Sequence, residues 1–319
     1  MFTKEFTRLI LNTSNKSASA PIIEIVIVTY NRKADLLDQL RLLMHLDYPK
    51  ESYGITIVNN CSNDDTASAV DEFIAHNEDS KISIRALNLP ENIGGSGGFS
   101  KGIGAAISQN SADYIWLLDD DATPQENTLK RLVGGAEREA SKSIIGGVIL
   151  DKSNVEKVTE AGAKVRWWKA RQELLFSGEK VNNLPEERFE SEYASAACML
   201  IPMAAAKELQ GFANFFLHFD DVEWCLRAKK AGYKTLIEPQ ARVAHPTKKE
   251  LYRPGIKYYD VRNFLYVAAR HYSIATPYLF IRFLVKATIC SLSHRKRNES
   301  LETFKALFDF MTKTQGKLQ

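Results

Sequence analysis

The chain has 319 residues, 45% apolar and 25% charged, a make-up that excludes wholesale disorder and gives room for one large α/β domain with a smaller appendage. Its net charge of +3 gives no ground for a nucleic-acid partner. The charge is uneven, however: Pro246 to Gln319 carries fourteen Lys and Arg against five Asp and Glu, so that tail stands near +9 and the rest near −6, a pattern that suits contact with a polyanion or an anionic membrane surface.

From the amino end, residues 1–20 form an extension with a polar Ser/Asn-rich stretch, Asn12 to Ala20, and no hydrophobic signal region. Ile22 to Thr29 is a β-branched run of the kind found in buried parallel strands. Apolar residues at helical spacing follow from Asp35 to Leu46, then a short strand at Ile55 to Val58, a helix from Asp64 to Ala75 and a strand at Ile82 to Leu87. A glycine-rich segment, Asn92 to Gly104, leads into another helix, and Tyr114 to Leu118 reads as a fourth strand. This alternation predicts a parallel, doubly wound sheet whose ligands bind beyond the carboxyl ends of its strands. After a strand at Ile144 to Leu150 the pattern weakens, and Glu156 to Glu192 is mixed. It resumes as a strand from Ala196 ended by Pro202, a helix from Val222 stopped by Gly232, and a strand at Lys234 to Ile237. Beyond His245 only helices are expected. The domain division is therefore 21–245 for the α/β domain and 246–319 for a basic helical region.

Cys61, Cys198, Cys225 and Cys290 are widely spaced with no C-x-x-C pair, which argues against zinc and a disulfide framework and fits a reducing cytosol. No run reaches 18 uninterrupted apolar residues, so no membrane-spanning helix is expected. Pro277 to Leu292 comes nearest, but Arg282 and Lys286 interrupt it on one helix face. Such a helix suits either a membrane interface or packing on the main domain with a wet basic side.

Two acidic clusters carry the chemistry. Asp119, Asp120 and Asp121 end the buried strand from Tyr114, where desolvating carboxylates costs several kcal/mol unless something compensates. A divalent cation is the simplest compensator, and oxygen ligands suit Mg²⁺ or Mn²⁺. On an extended chain Asp119 and Asp121 would face the same way. Asp220 and Asp221 stand just before a helix with Glu223 and Trp224 behind them. One acid would cap that helix; a cluster of three points to a proton acceptor, with Asp220 either binding the acceptor or raising the pKa of Asp221 by like-charge repulsion. The run Gly94 to Gly98 lets backbone amides approach an anion, but a dinucleotide site would place it after the first strand, not the third. Trp167 and Trp168, in a basic setting, serve equally well as a sugar platform or as core.

Five elements in this order resemble a family 2 glycosyltransferase with a GT-A fold, and within that class the bacterial galactofuranosyltransferases. They are Val28-Thr29-Tyr30-Asn31-Arg32, Val58 to Asp64, Asn92 to Phe99, the Asp119–Asp121 triplet, and Phe219 to Arg227 with His245 behind it. The resemblance spans Ile22 to His245. It implies an inverting, metal-dependent transfer of galactofuranose from a UDP-sugar donor to a lipid-linked or polysaccharide acceptor such as O-antigen, at the inner face of the bacterial cytoplasmic membrane. By the same resemblance Thr29 and Arg32 line the uridine and diphosphate pocket, and Gly95, Ser96, Gly97 and Gly98 form a loop around ribose and phosphates. Asp121 with Asp119 and His245 holds the metal, and Asp119 or Asp120 meets ribose or sugar hydroxyls. Asp221 is the base with Asp220 beside it; Trp167, Trp168, Glu223 and Trp224 are acceptor candidates. Many relatives end the second strand in two acids; here Asn59 and Asn60 stand there, and Asn60 is the candidate partner of the base. Rival readings are a rhamnosyl- or other hexosyltransferase using a dTDP- or UDP-sugar, a nucleotidyltransferase, and a non-catalytic glycan-binding relative.

Overall fold

The structure, a computed structural model, describes residues 20–139, 142–247, 255–293 and 296–318; most of the expected 1–20 extension lies outside them. The first half alternates strands β1 (Ile23–Thr29), β2 (Tyr53–Asn59), β3 (Ser83–Asn88) and β4 (Tyr114–Asp119) with helices α1 (Lys33–Leu43), α2 (Thr66–His76) and α3 (Gly94–Gln109). The strands pair in parallel in the order β3-β2-β1-β4, with Ile25 opposite Ile55 and Ile27 opposite Leu118. The short β5 (Thr123–Pro124) and helix α4 (Thr128–Glu137) lead to β6 (Ser143–Asp151) and β7 (Asn154–Glu160). A two-stranded ribbon, β8 (Ala163–Arg166) and β9 (Arg171–Leu174), precedes the two-residue β10 (Phe189–Glu190). Then come β11 (Cys198–Pro202), α5 (Met203–Leu209), α6 (Asp220–Lys230) and β12 (Lys234–His245). β11 runs antiparallel between β4 and β6, and β12 pairs in parallel with β6. The carboxyl ends of β1, β2, β4, β6 and β12 therefore share one edge of the sheet.

The fold follows from the two-residue period of the strands. Ile23, Ile25 and Ile27 of β1 join one apolar layer with Leu36, Leu40 and Leu129, while Val26 joins the other with Val58, Phe99 and Ile103. Each such side chain, fully buried, contributes about 1.5–3 kcal/mol. The second layer continues into α7 (Ile256–His271), α8 (Thr276–Ser291) and α9 (Arg297–Met311), through Tyr258, Phe264, Leu279, Phe283 and Leu307. Described residues beyond His245 are helical apart from turns, as expected.

Two local expectations are corrected, and a third observation concerns the C-terminal helices. The glycine-rich segment is not a loop: α3 begins at Gly94 and contains Gly95 to Gly98 in its first turns. Gly94 has φ +77° and a Cβ there would strike the Phe216 carbonyl; a Cβ on Gly98 would strike Val28. These glycines let α3 lie close against β1 and the segment before α6. The strand expected to stop at Ile237 resumes after an irregularity at Pro239 and runs to His245; a proline cannot donate to the ladder, so the break was legible and the resumption was not. Finally, Ser273 to Ser291 is a 19-residue helical stretch long and apolar enough to cross a membrane by length and composition, despite Arg282 and Lys286.

Candidate active site

Asp119 closes β4, and the chain turns at once: the Ala122 amide donates to the Asp119 carbonyl at 3.1 Å. The buried Gln39 side chain donates to the carbonyls of both Asp119 and Ala122 and holds that turn. The triplet is therefore a reverse turn, not the extended segment assumed from the sequence. Immediately after it β5 pairs antiparallel with the end of β12, Thr123 against Ala244. That pairing carries His245 to the acids, with Nε2 2.8 Å from Asp121 Oδ1 and 3.4 Å from Asp119 Oδ2. One ligand atom each from Asp119, Asp121 and His245 lie within 4.8 Å of one another. The His245 Nδ1 sits 3.0 Å from the Pro246 carbonyl, which turns Nε2 toward the carboxylates, as expected of a ligating imidazole. Two carboxylates and an imidazole fit a divalent cation such as Mn²⁺ or Mg²⁺.

Two cations of the chain itself hold these acids. Arg32, which follows β1, donates to Asp121 and, at 3.2 Å, to Asp120; the guanidinium assigned to the diphosphate pocket thus lies against the acid turn. Burial disfavours an imidazolium at His245, but the carboxylates of Asp119 and Asp121 outweigh it and push its pKa up to about 10. Burial raises Asp121, and His245 and Arg32 reverse this and bring it down to about 2. Asp120 goes the other way: burial lifts it to about 7 against the pull of Arg32. Thr29, at the end of β1, is buried beside this turn.

The second acid cluster adjoins the first. Asp220 and Asp221 form the first turn of α6, half-buried, and burial raises the pKa of both. Asp221 adds its charge to the rise at Asp220, and Asp119 adds to the rise at each, so acids a hundred positions apart in sequence feel one another's charge. Asp221 accepts from its neighbour Val222 N at 2.7 Å and from Ala196 N at 3.4 Å.

The segment leading to α6 is strained. Phe216, His218 and Phe219 have φ of +69°, +63° and +66°, and a non-glycine residue held there costs on the order of 1–3 kcal/mol. Side chains distant in sequence hold it in place. The buried Asn263 amide of α7 donates to the carbonyls of Phe215, Leu217 and His218, and the buried Arg262 donates to Phe215 O at 2.8 Å. Ser96 Oγ donates to Ala213 O at 2.6 Å and accepts from Phe215 N. His218 in turn meets Asp260 of α7 at 2.7 Å, and its charge opposes the rise at Asp221. None of Arg262, Asn263, His218 and Asp260 was singled out from the sequence. His218 stood one residue ahead of the motif from Phe219 to Arg227; the other three carry no local signal.

Several candidates occupy other roles. Asn60 is buried, its amide donating to Asn92 Oδ1 and Gly94 O and accepting from Ile93 N. It ties the end of β2 to the start of α3. Asn59 is likewise engaged, with Asn88 and the Ser62 amide. Glu223 and Trp224 are fully buried, which withdraws both from the acceptor surface. The Trp224 indole donates to Gln210 O at 2.9 Å. Trp167 stacks on Tyr272 with ring centres 5.3 Å apart, and Trp168 remains half-exposed.

Glu223 is instead an ionic clasp between α6 and α7, meeting Arg227 at 2.8 Å, Arg270 at 2.6 Å and His271 at 3.3 Å. Burial opposes its charge, but these partners win and hold its pKa near 2. A depressed carboxylate stabilises the fold above its unfolded value of about 4.5 and loses that contribution as pH falls through about 2. Glu223→Gln is expected to lower unfolding free energy by roughly 3 kcal/mol at neutral pH, because it breaks a buried ion cluster. Denaturant unfolding should show that deficit shrinking as the pH is taken from about 4.5 toward 2.

Residues 20–255 match the model of the glycosyltransferase like family 2. The galactofuranosyltransferase GlfT2 of Mycolicibacterium smegmatis is 27% identical over 307 residues, covering 91% of this chain and 47% of that protein. The chain thus spans about half the length of that relative. Among solved structures, a mannosyltransferase from Pyrobaculum calidifontis in complex with GDP-Man and Mn²⁺ superposes with a TM-score of 0.56 at 14% identity, over 98% of this chain and 93% of the other. GalNAc-T7 with UDP, GalNAc and Mn²⁺ superposes at 0.69 and 15% identity, over 93% and 57%. The fold is that of the GT-A glycosyltransferases.

Proposed function

The chain belongs to glycosyltransferase family 2, and we propose that it moves galactofuranose from UDP-galactofuranose to a cell-surface glycan in a metal-dependent, inverting displacement. The observation that carries this reading is the meeting of two acid groups: Asp119 and Asp121 with His245, and beside them the half-buried pair Asp220 and Asp221. The GlfT2 relatives support the sugar, and the Mn²⁺ of two structural neighbours supports the metal.

Asp119, Asp121 and His245 would hold Mn²⁺ or Mg²⁺. Bound there, the cation supplies charge neutralisation for the leaving diphosphate. The chain's own residues do the rest. Asp221 takes the proton of the acceptor hydroxyl, its carboxylate kept basic by burial and by the charge of Asp119, and Asp220 beside it binds the acceptor. Arg32, just past the end of β1 beside the acid turn, would meet the donor's phosphates. Gly95 would offer its amide at the start of α3 to the same anion; the Ser96 amide is taken by Phe216 O at 3.3 Å, and Gly97 and Gly98 lie inside the helix. Thr29 closes the nucleoside end, with Asn60 shaping that wall through the loop it holds. Asp120 meets ribose or sugar hydroxyls, and Trp168 offers the half-exposed ring nearest to a platform. The acceptor is a lipid-linked or polysaccharide glycan such as O-antigen, met at the inner face of the cytoplasmic membrane.

A donor panel tests this. UDP-galactofuranose, UDP-galactose, UDP-glucose and dTDP-rhamnose are offered with Mn²⁺ and a lipid-linked glycan acceptor, and nucleotide release is followed. Turnover of UDP-galactofuranose alone is expected. Turnover of another donor in its place would keep the chemistry and overturn the sugar, and pyrophosphate release would overturn transfer itself.

A further inference from the structure

We propose that the outer face of α8 is a docking surface for an anionic lipid bilayer, on which the protein lies without crossing it. The helix is apolar on two opposite sides. Its inner stripe, Leu279, Phe283 and Ala287, is buried in the C-terminal bundle. Its outer stripe runs Tyr278, Ile281, Val285 and Ile289, at helical spacing, with exposures of 43%, 60%, 51% and 63%; Leu292, just past the end, is 86% exposed. A surface helix of a soluble protein carries polar residues on that side. Arg282 and Lys286 flank the outer stripe, each one position along from an exposed apolar residue. Beside the stripe lies an open groove of about 510 Å³ walled by Pro277, Phe280, Ile281, Phe310 and Met311.

Length and composition alone would let Ser273 to Ser291 span a bilayer, but the inner stripe argues otherwise. Ser300 of α9 donates to the Ala287 carbonyl at 2.7 Å, and Leu279 and Phe283 belong to the same core layer as the strands. Removing α8 into a membrane would tear that core. A helix clamped on one side and apolar on the other lies in the interface plane, with its basic residues among the headgroups.

Charge decides between a bilayer and a second copy of the chain. The region from Pro246 onward stands near +9, so a symmetric pairing through α8 would bring two such surfaces together. An anionic leaflet complements the same charge. The aromatic residues at the start of the stripe agree: Trp168 meets Tyr278 edge-on with ring centres 5.4 Å apart, and both are exposed. Rings of this kind settle at headgroup depth. From Trp168 a run of ring contacts through Tyr272, Trp167 and Phe264 reaches Phe219, the residue before Asp220. The docking face and the acid cluster are thus parts of one packed body. This inference goes beyond the transfer reading and stands without it.

Co-sedimentation of the full chain with vesicles provides the test, using phosphatidylcholine alone and phosphatidylcholine mixed with phosphatidylglycerol. The parent protein is expected to bind the mixed vesicles and to be released by salt. Ile281→Ser, Val285→Ser and Ile289→Ser together should weaken binding at least tenfold. Arg282→Gln with Lys286→Gln should weaken it on the mixed vesicles only. Unfolding midpoints no lower than the parent's would show that the variants are folded. A parent that stays in the supernatant with mixed vesicles overturns the proposal, as does triple-variant binding equal to the parent's. A parent that dimerises in solution through this stripe, with the triple variant monomeric and neither binding vesicles, assigns the face to a second copy.

Discussion

An Asp221→Asn enzyme is expected to transfer sugar about 10²–10⁴-fold more slowly than its parent, the usual range for a lost general base. Donor KM and metal affinity should stay as they are, because Asp221 lies outside the Asp119, Asp121 and His245 cluster. The substitution preserves size, and an amide oxygen can still accept from Val222 N, so the start of α6 should hold. Burial lifts both Asp220 and Asp221 above the ordinary carboxylate range, and each sits near the charge of Asp119. A base must be deprotonated to work, so kcat/KM should fall as pH drops, with an apparent pKa above the usual value of about 3.9. Because the two carboxyls are neighbours on one helix turn, that limb belongs to the pair. Asp220→Asn leaves Asp221 as the one carboxyl of the pair, so the limb should become a single ionisation while substantial activity remains at neutral pH. If Asp220→Asn abolishes transfer and Asp221→Asn does not, the roles are reversed. If neither slows transfer, the proton leaves by another route.

What could be read from the sequence, and what could not, divides by range. The strands of the first half and the helices between them follow from periodicities that act within a few residues, and the structure places them within a few positions of where the pattern did. The two acid clusters also stood out locally, as charges after a buried strand and before a helix; His245 entered only through the family resemblance. Errors came where a residue's meaning depends on what packs against it. Gly94 and Gly98 look like a flexible loop until Phe216 and Val28 are seen to leave no room for a side chain. Glu223 and Trp224 look like site residues because they follow Asp221, yet helical rotation turns them inward, where they are fully buried. Arg262 and Asn263 carry no motif, and their work on the carbonyls of 215–218 is joined across more than forty residues. The same holds for the acid turn: Gln39 fixes it from eighty positions away.

Mn²⁺ titrated into the metal-free protein at pH 7 is expected to release about one proton per ion bound, because a ligating imidazole must be neutral. The source is His245, which Asp119 and Asp121 hold charged up to about pH 10. The sign follows from the direction of that shift. A histidine raised above its unfolded value of 6.5 stabilises the metal-free fold fully below that value and loses the contribution as pH rises through about 10. Metal and proton compete over the same window, so apparent Mn²⁺ affinity should rise about tenfold per pH unit through neutral pH. Calorimetry in buffers of different ionisation enthalpy measures both quantities. His245→Ala should abolish the proton release and weaken binding. Asp121→Asn should remove metal-dependent transfer by at least about 10²-fold, given that a bound cation contributes several kcal/mol to the transition state. Arg32 offers a second handle: its guanidinium holds Asp121 Oδ2 and sets a positive charge against the carboxylate that would bind the ion, so Arg32→Gln should bind Mn²⁺ more tightly while losing the group meant for the donor's phosphates. Metal binding without proton release, unchanged in His245→Ala, would leave the histidine as an ion-pair partner and confine the site to its carboxylates.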